Sequence, residues 1–209
     1  MKIGLLILGG LLVLVLLNVI GQGRNTLDRL TFVERERDQW QRAPEIIRQL
    51  ELHRGSRVAD LGCGAGYFAL KLSAAVGPTG SVQAVDILRL PLLFLWLRSS
   101  GNVHEIRGEP DDPHISGSVD AVLVANTYHE LTDPKLILER LRAALISGGR
   151  IVIADRGPGS GNPEHAIDPA LVVAELQQSG FEILSREDHF LVQPDEGPWW
   201  LIVARKASL

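Results

Sequence analysis

The feature that most limits the fold of this chain is a regular alternation of short apolar runs with segments of helical pattern, which starts at Arg57. This alternation is typical of a parallel sheet with helices on both faces. Two strand-like stretches, FEILSREDHFLV and PWWLIVARK, then follow a predicted helix at Ala170–Ser179 and indicate an antiparallel hairpin at one sheet edge. We therefore predict an α/β, doubly wound, mostly parallel sheet with strands at Arg57–Leu61, Ser81–Ile87, Asn102–Arg107, Val119–Ala125 and Arg150–Asp155, closed by a C-terminal antiparallel hairpin.

Length and charge exclude several classes of protein. A chain of 209 residues is long enough for one α/β domain of ordinary core size. Its formal net charge of −4 argues against a dedicated nucleic-acid binder, so no nucleic-acid partner is expected. A single cysteine excludes an internal disulfide framework, and no metal-ligand spacing such as H-E-x-x-H occurs, so no metal site is predicted.

The amino-terminal segment Ile3–Ile20 contains no charged residue. As a helix it would be about 27 Å long, near the lower limit for a membrane span. Its flank is a poor match to a signal-peptide cleavage site, so we favour an uncleaved transmembrane anchor over a cleaved signal or a buried helix.

Basic residues follow this segment closely and predict its orientation. Lys2 precedes it, whereas Arg24, Arg29, Arg35, Arg37 and Arg42 come after it. Because Lys and Arg stay on the cytoplasmic side, we expect a single-pass membrane protein whose soluble domain faces the cytoplasm. The predicted organisation is an anchor over residues 1–22, a linker over 23–36 and one domain over 37–209.

A glycine-rich loop follows the first predicted strand, in the stretch VADLGCGAGYFAL. Ligands of such sheets lie beyond the carboxyl ends of the strands, where glycine lets the backbone approach and a helix amino terminus offers free N–H groups. A dinucleotide fingerprint places its third glycine three residues after the second, but Tyr67 holds that position here. The pattern is instead Asp60-x-Gly62-x-Gly64-x-Gly66.

This pattern resembles motif I of the class I S-adenosylmethionine-dependent methyltransferases, which have a Rossmann-like fold, and the resemblance extends over most of Arg37–Lys206. It implies S-adenosylmethionine as cofactor. Asp86, at the end of SVQAVDI, corresponds to the acid that takes both ribose hydroxyls, and RGEPDDP resembles the family stretch beside the adenine, with Glu109 one methylene longer than the usual Asp. The cofactor-binding residues that we predict are Asp60, Gly62, Cys63, Gly64, Gly66, Asp86, Ile87, Glu109, Pro110 and Asn126.

The stretch NTYHEL stands at the end of the fourth predicted strand, beside the expected methionine end of the cofactor. If the acceptor is a hydroxyl, a general base near its proton assists transfer. His129 is the leading candidate, with Glu130 adjacent and His165 as the alternative. Each histidine could instead have a structural role; His129, for example, could cap the helix that starts near Asp133. Trp199 and Trp200 either line the acceptor pocket or fill the core.

A second apolar stretch, LRLPLLFLWL, follows Asp86 directly. A helix on the outside of a sheet normally has one polar face, yet Leu90–Leu97 contains no polar side chain. Its outer surface therefore contacts the amino-terminal segment, the bilayer or another subunit.

The first of three function classes is a methyltransferase at the cytoplasmic membrane face that acts on a small-molecule or lipid acceptor. A second is a catalytically silent methyltransferase-like docking subunit. The third, an NAD-dependent oxidoreductase, is disfavoured by the missing third glycine. The sequence does not determine the oligomeric state.

Overall fold

The computed structural model describes residues 2–159, 163–193 and 197–207, with side chains from residue 21 onward in those ranges. The chain divides into two compact units, Met1–Gln39 and Trp40–Leu209. The first unit consists of helix α1, Lys2–Trp40, except for its last residue, and includes residues 23–36, which the sequence analysis assigned to a linker. Within the part of the chain whose side chains are described, no helix is long and apolar enough to cross a membrane. The side chains of residues 1–20, nearly all of the predicted anchor, lie outside that part.

The second unit is a seven-stranded sheet with helices on both faces. Its strands are β1 Arg57–Leu61, β2 Ser81–Asp86, β3 Val103–Arg107, β4 Val119–Ala125, β5 Leu145–Arg156, β6 Phe181–Gln193 and β7 Gly197–Lys206. The helices are α2 Ala43–Gln49, α3 Tyr67–Val76, α4 Arg89–Trp96, α5 Pro134–Ala144 and α6 Pro169–Gln178. The predicted mixed α/β architecture is thereby confirmed.

The strand order is β3-β2-β1-β4-β5-β7-β6. Strands β1 to β5 are parallel, and β7 pairs antiparallel with both β5 and β6. The predicted C-terminal hairpin therefore forms one edge of the sheet. The chain reverses its winding direction between β1 and β4, and the carboxyl ends of these two strands flank the crevice in which open α/β sheets bind ligands.

Two apolar cores cover the two faces of this sheet. One core contains residues of α2, α3 and α4, and the other contains residues of α5 and α6. The central strands are buried on both faces, which explains their nearly continuous apolar runs. Trp199 and Trp200 point to opposite faces and fill the two cores, so of their two predicted roles the structure supports the core.

Candidate functional site

A cleft of about 210 Å³ opens at the carboxyl ends of β1, β2 and β4. Its lining includes five of the predicted cofactor residues: Gly62, Asp86, Ile87, Glu109 and Pro110. Glu130, a predicted catalytic residue, lies at the same cleft, together with residues that sequence reasoning missed, among them Thr127, Leu131 and Ile137. The cleft therefore lies at the point where the winding of the sheet reverses.

The glycine loop between β1 and α3 adopts a backbone that few other residues could follow. Gly62, Gly64 and Gly66 have φ angles of 74°, 53° and 99°. A Cβ on Gly62 would lie 2.1 Å from Thr127 Oγ1, and one on Gly66 would lie 2.4 Å from Leu95 Cδ1. A Cβ on Gly64 would meet nothing within 4 Å. The outer two glycines are thus required by packing, whereas Gly64 borders open space.

Asp86 connects this loop with the start of α4. Its Oδ2 accepts a hydrogen bond from the Gly64 N–H at 2.9 Å, and its Oδ1 accepts one from the Leu88 N–H at 2.8 Å. Each carboxylate oxygen has two acceptor positions. Among the described residues no further donor reaches these oxygens, so one position on each remains for a second donor, as a pair of ribose hydroxyls would need.

The remaining predicted cofactor residues lie around the loop and at the next strand end. Asp60 is buried at the end of β1, and Cys63 is buried behind the loop, where burial raises the pKa of its thiol. A buried thiol with a raised pKa is a poor nucleophile, so Cys63 acts here as a small side chain that fills the space behind the loop. Asn126 follows β4 with a φ of 57°, and among the described residues its buried Oδ1 has no hydrogen-bond partner.

Glu109 and Pro110 stand at the rim of the cleft in the turn after β3. The turn is closed by backbone hydrogen bonds between Glu109 and Asp112. The Glu109 side chain is exposed, and its Oε2 lies 4.0 Å from His114 Nε2. Glu109 is therefore free to turn toward a ligand in the cleft.

The three predicted catalytic residues come together on the β4–β5 side of the cleft. His129 and Glu130 lie on a short 3₁₀ turn, Tyr128–Glu130, after β4, and His165 lies on a second one, Pro163–His165, after β5. Nε2 of His129 is 3.0 Å from Nδ1 of His165 and 3.6 Å from Oε1 of Glu130. The cap of α5 is Asp133, whose side chain accepts from the Leu136 N–H, so His129 is not needed for that purpose.

Asp155, at the end of β5, holds His129 in place and was not predicted. It is fully buried, its Oδ1 lies 2.8 Å from His129 Nδ1, and its Oδ2 accepts from the His129 backbone N–H. Because a carboxylate oxygen can only accept, Nδ1 of His129 carries the hydrogen, and the neutral ring then has its lone pair on Nε2. One sequence signal could have identified Asp155. It is an acid at the end of an apolar strand, as Asp60 and Asp86 are in their strands.

Comparison with known families gives a match over the centre of the chain. A family model described as a methyltransferase domain matches residues 59–153, just under half of the chain. This range contains the glycine loop, Asp86, Glu109 and His129.

Curated relatives are similar over part of the chain. The tRNA U34 carboxymethyltransferase of Campylobacter hominis is 27% identical over 130 residues, which are 61% of this chain and 45% of that protein. The demethylmenaquinone methyltransferase of Geobacillus kaustophilus is 27% identical over 113 residues, 52% of this chain and 48% of that protein. The chain thus spans about half the length of the curated relatives that it matches.

Solved structures share the fold. A methyltransferase dependent on S-adenosylmethionine from Aquifex aeolicus superposes with a TM-score of 0.68 at 23% identity, covering 79% of this chain and 90% of that one. The cyclase SpnF superposes with a TM-score of 0.67 at 16% identity, covering 80% of each chain. The second name shows that this fold also carries proteins named for other reactions.

Proposed function

We propose that this chain, which has the fold and the family domain of an S-adenosylmethionine-dependent methyltransferase, transfers the methyl group of that cofactor to a small-molecule or lipid acceptor at the cytoplasmic face of a membrane. The observation that carries the proposal is Asp86, which ends β2 at the cleft with one free acceptor position on each carboxylate oxygen. The sequence predictions of enzyme class and cofactor are confirmed by the family domain and its structural neighbours.

The residues around the cleft fit the parts of this cofactor. Asp86 would accept from the ribose hydroxyls, Ile87 and Pro110 would flank the adenine, and Glu109 would accept from its amino group. The open space beside Gly64 would let a ligand approach the loop backbone, and the buried Oδ1 of Asn126, which has no partner among the described residues, would accept from the charged methionine end. The bound cofactor supplies a methyl group that is already electrophilic, so the protein mainly has to position the acceptor and exclude water.

The acceptor side of the cleft is proposed to be the cluster of His129, Glu130 and His165. With Asp155 fixing its Nδ1–H, His129 presents the Nε2 lone pair and is the candidate base for a hydroxyl acceptor. The net charge of −4 favours a small acceptor over tRNA, the substrate class named for one relative. Demethylmenaquinone, the acceptor named for another relative, is a small molecule.

Action at a membrane is supported by the predicted anchor and by the outer surface of α4. Leu92 and Leu95 of this helix are buried, whereas Leu90 and Trp96 are each 62% exposed and Leu93 is 50% exposed. Ile87, Leu88 and Leu97 extend this apolar surface, which begins at the cleft. Exposed apolar surface of this kind marks membrane or protein contact sites, and a lipid acceptor could reach the cleft along it.

Cofactor binding and turnover are tested separately. Calorimetric titration with S-adenosylhomocysteine and with NADH separates a methyltransferase from an oxidoreductase; binding of NADH alone would contradict the proposal. The protein is then incubated with methyl-labelled S-adenosylmethionine and with membrane lipid, small-molecule, tRNA and protein fractions. Label in the lipid or small-molecule fraction is expected. Binding without label in any fraction would favour the docking subunit.

The membrane contact is tested by vesicle flotation after deletion of residues 1–22. We expect this form to float with anionic vesicles and the variant with Leu90→Gln, Leu93→Gln and Trp96→Gln to stay in solution. A matched control replaces two exposed apolar residues on other elements, Leu171→Gln and Val192→Gln. Equal flotation of the α4 variant and the control would exclude α4 as the contact.

A further inference from the structure

Three side chains with metal-ligating atoms converge on the acceptor side of the cleft. Nε2 of His129, Nδ1 of His165 and a carboxylate oxygen of Glu130 all lie within 4.8 Å of one another. They come from two turns that follow different strands, β4 and β5, and His129 is 36 residues from His165. Two imidazoles and one carboxylate are a donor set that binds zinc, iron and related divalent ions.

The separations between these atoms suit one ion. A nitrogen ligand lies about 2.0–2.1 Å from Zn²⁺, so two nitrogens in tetrahedral coordination are about 3.3 Å apart. The His129 and His165 nitrogens are 3.0 Å apart, and His129 Nε2 is 3.6 Å from Glu130 Oε1. Only small movements of the exposed Glu130 and half-buried His165 would place all three atoms around one centre.

The surroundings of His129 have a second feature of metal centres. A ligating histidine usually donates its other ring N–H to a carboxylate, which fixes the ring and raises its basicity. Asp155 accepts from His129 Nδ1 at 2.8 Å, and the side chains of both residues are buried, 0% and 4% exposed. The Nε2 lone pair therefore points in a fixed direction, toward the other two ligands.

We propose that His129, Glu130 and His165 bind one divalent transition-metal ion, with Asp155 as the positioning residue behind His129. Three protein ligands leave a coordination position open, as in catalytic zinc sites. Since Glu130 also lines the cleft, this open position borders the space assigned to the acceptor. A neutral His165 can bind the ion through Nδ1 without losing a proton, because its ring hydrogen can move from Nδ1 to Nε2.

A role of this ion in methyl transfer rests on the proposed function, whereas the binding of the ion does not. The Nε2 lone pair of His129 serves one partner at a time, so His129 would not act as a base while it holds the ion. A hydroxyl acceptor at the open position would instead have its pKa lowered by the ion. Its proton would then pass to solvent or to Glu130.

Binding is measured on the full chain, freed of any histidine tag and stripped with a chelator. Titration with Co²⁺, followed by its visible absorption band, and with Zn²⁺, followed by calorimetry, should give one ion per chain. His129→Ala and His165→Ala are each expected to weaken binding at least 10-fold. The matched control is His104→Ala, since His104 is an exposed histidine on β3 outside the cluster, and it should bind as the unmodified protein does.

Asp155→Asn separates positioning from ligation. Loss of a partner behind a ligand typically weakens metal binding about 10- to 100-fold, and the thermal unfolding midpoint and S-adenosylhomocysteine affinity report whether the variant is folded. If a variant of His129 or Asp155 does not fold, metal binding by the His165→Ala variant decides, since His165 is only half-buried. A protein that takes up no stoichiometric ion, or a His165→Ala variant that binds as the unmodified protein does, overturns the proposal. In that case, retained binding of S-adenosylhomocysteine would still support the methyltransferase assignment.

Discussion

At the scale of single residues, Asp86 has the clearest double role. Its carboxylate receives one backbone N–H from the glycine loop and one from the start of α4, which joins two elements that border the cleft. The same oxygens keep acceptor positions for a ligand. Structure and binding therefore depend on one side chain, and a substitution must be compared with one that removes a similar backbone contact elsewhere.

Asp86→Asn is predicted to weaken S-adenosylhomocysteine binding about 10- to 100-fold, because hydrogen bonds to a charged group contribute about 1.5–3 kcal/mol. Isothermal titration calorimetry measures the change. Asp120→Asn is the matched control, since Asp120 Oδ2 also accepts from a backbone N–H of a neighbouring strand, that of Arg57. This contact lies at the amino ends of β1 and β4, away from the cleft. An Asp86→Asn variant with undiminished affinity would remove the ribose contact from the proposal.

At the scale of elements, the glycine loop and α4 support each other. Leu95 of α4 packs so closely on Gly66 that a Cβ there would collide with it, and Arg98, just after α4, donates to the carbonyl of Ala65 at 2.8 Å. The inner face of α4 thus positions the glycine loop. The outer face of the same helix carries the exposed leucines and Trp96. A membrane contact on α4 would for this reason lie next to the glycine loop.

Two glycines of this loop, Gly64 and Gly62, differ in their surroundings and give a prediction at the scale of elements, with Gly117 as a control outside the loop. Gly64→Ala should cost about 1–2 kcal/mol of unfolding free energy through its positive φ alone. Gly117→Ala should cost the same, since Gly117 has a φ of 68° and open space around it. Only Gly64→Ala should also weaken S-adenosylhomocysteine binding. Gly62→Ala should cost about 2–5 kcal/mol, because the collision with Thr127 adds to the strain.

Chemical denaturation and calorimetry on these three variants test the assignment of the loop. If Gly64→Ala and Gly117→Ala leave the affinity equally unchanged, the open space beside Gly64 is not part of the cofactor site.

At the scale of the whole molecule, the antiparallel hairpin fixes both faces of the sheet. Trp199 packs edge-on against Trp40 at 5.7 Å between ring centroids on one face. Trp200 lies in the core of the other face, and its Nε1–H donates to the Ile167 carbonyl at 2.9 Å. Ile167 immediately precedes Asp168, which caps α6, and follows the turn that bears His165. The hairpin therefore helps to hold the segment on which the candidate metal ligand lies.

Trp200→Ala is predicted to lower the unfolding free energy by about 3–5 kcal/mol, the usual cost of removing a fully buried aromatic side chain. Urea denaturation followed by circular dichroism gives the value. Trp96→Ala is the control, since this exposed tryptophan should change stability by less than about 1 kcal/mol. A small effect at Trp200 would mean that the hairpin contributes little to the core.

Sequence reasoning predicted the parallel strands to within a residue for β1 to β4, because each strand pattern stops at a glycine, an acid or an asparagine, namely Gly62, Asp86, Gly108 and Asn126. It missed the early start of β5 at Leu145, since ISGG carries turn residues that here continue the strand. The candidate site residues that it named, the glycine loop, Asp86, Glu109 and NTYHEL, belong to local patterns. Asp155 escaped because an acid at a strand end acquires a role only from the residue placed opposite it.

The sequence by itself determined the class of fold and the position of the glycine loop, because strand periodicity, glycine spacing and an acid at a strand end act within a few residues. Only the tertiary structure decided that His129, Glu130, His165 and Asp155 meet, since that meeting depends on β4 and β5 being parallel neighbours whose following turns face each other. Tertiary packing likewise decided which side of α4, which is apolar from Leu90 onward, is buried. Both outcomes depend on which residues lie opposite one another across the sheet, and no local pattern carries that information.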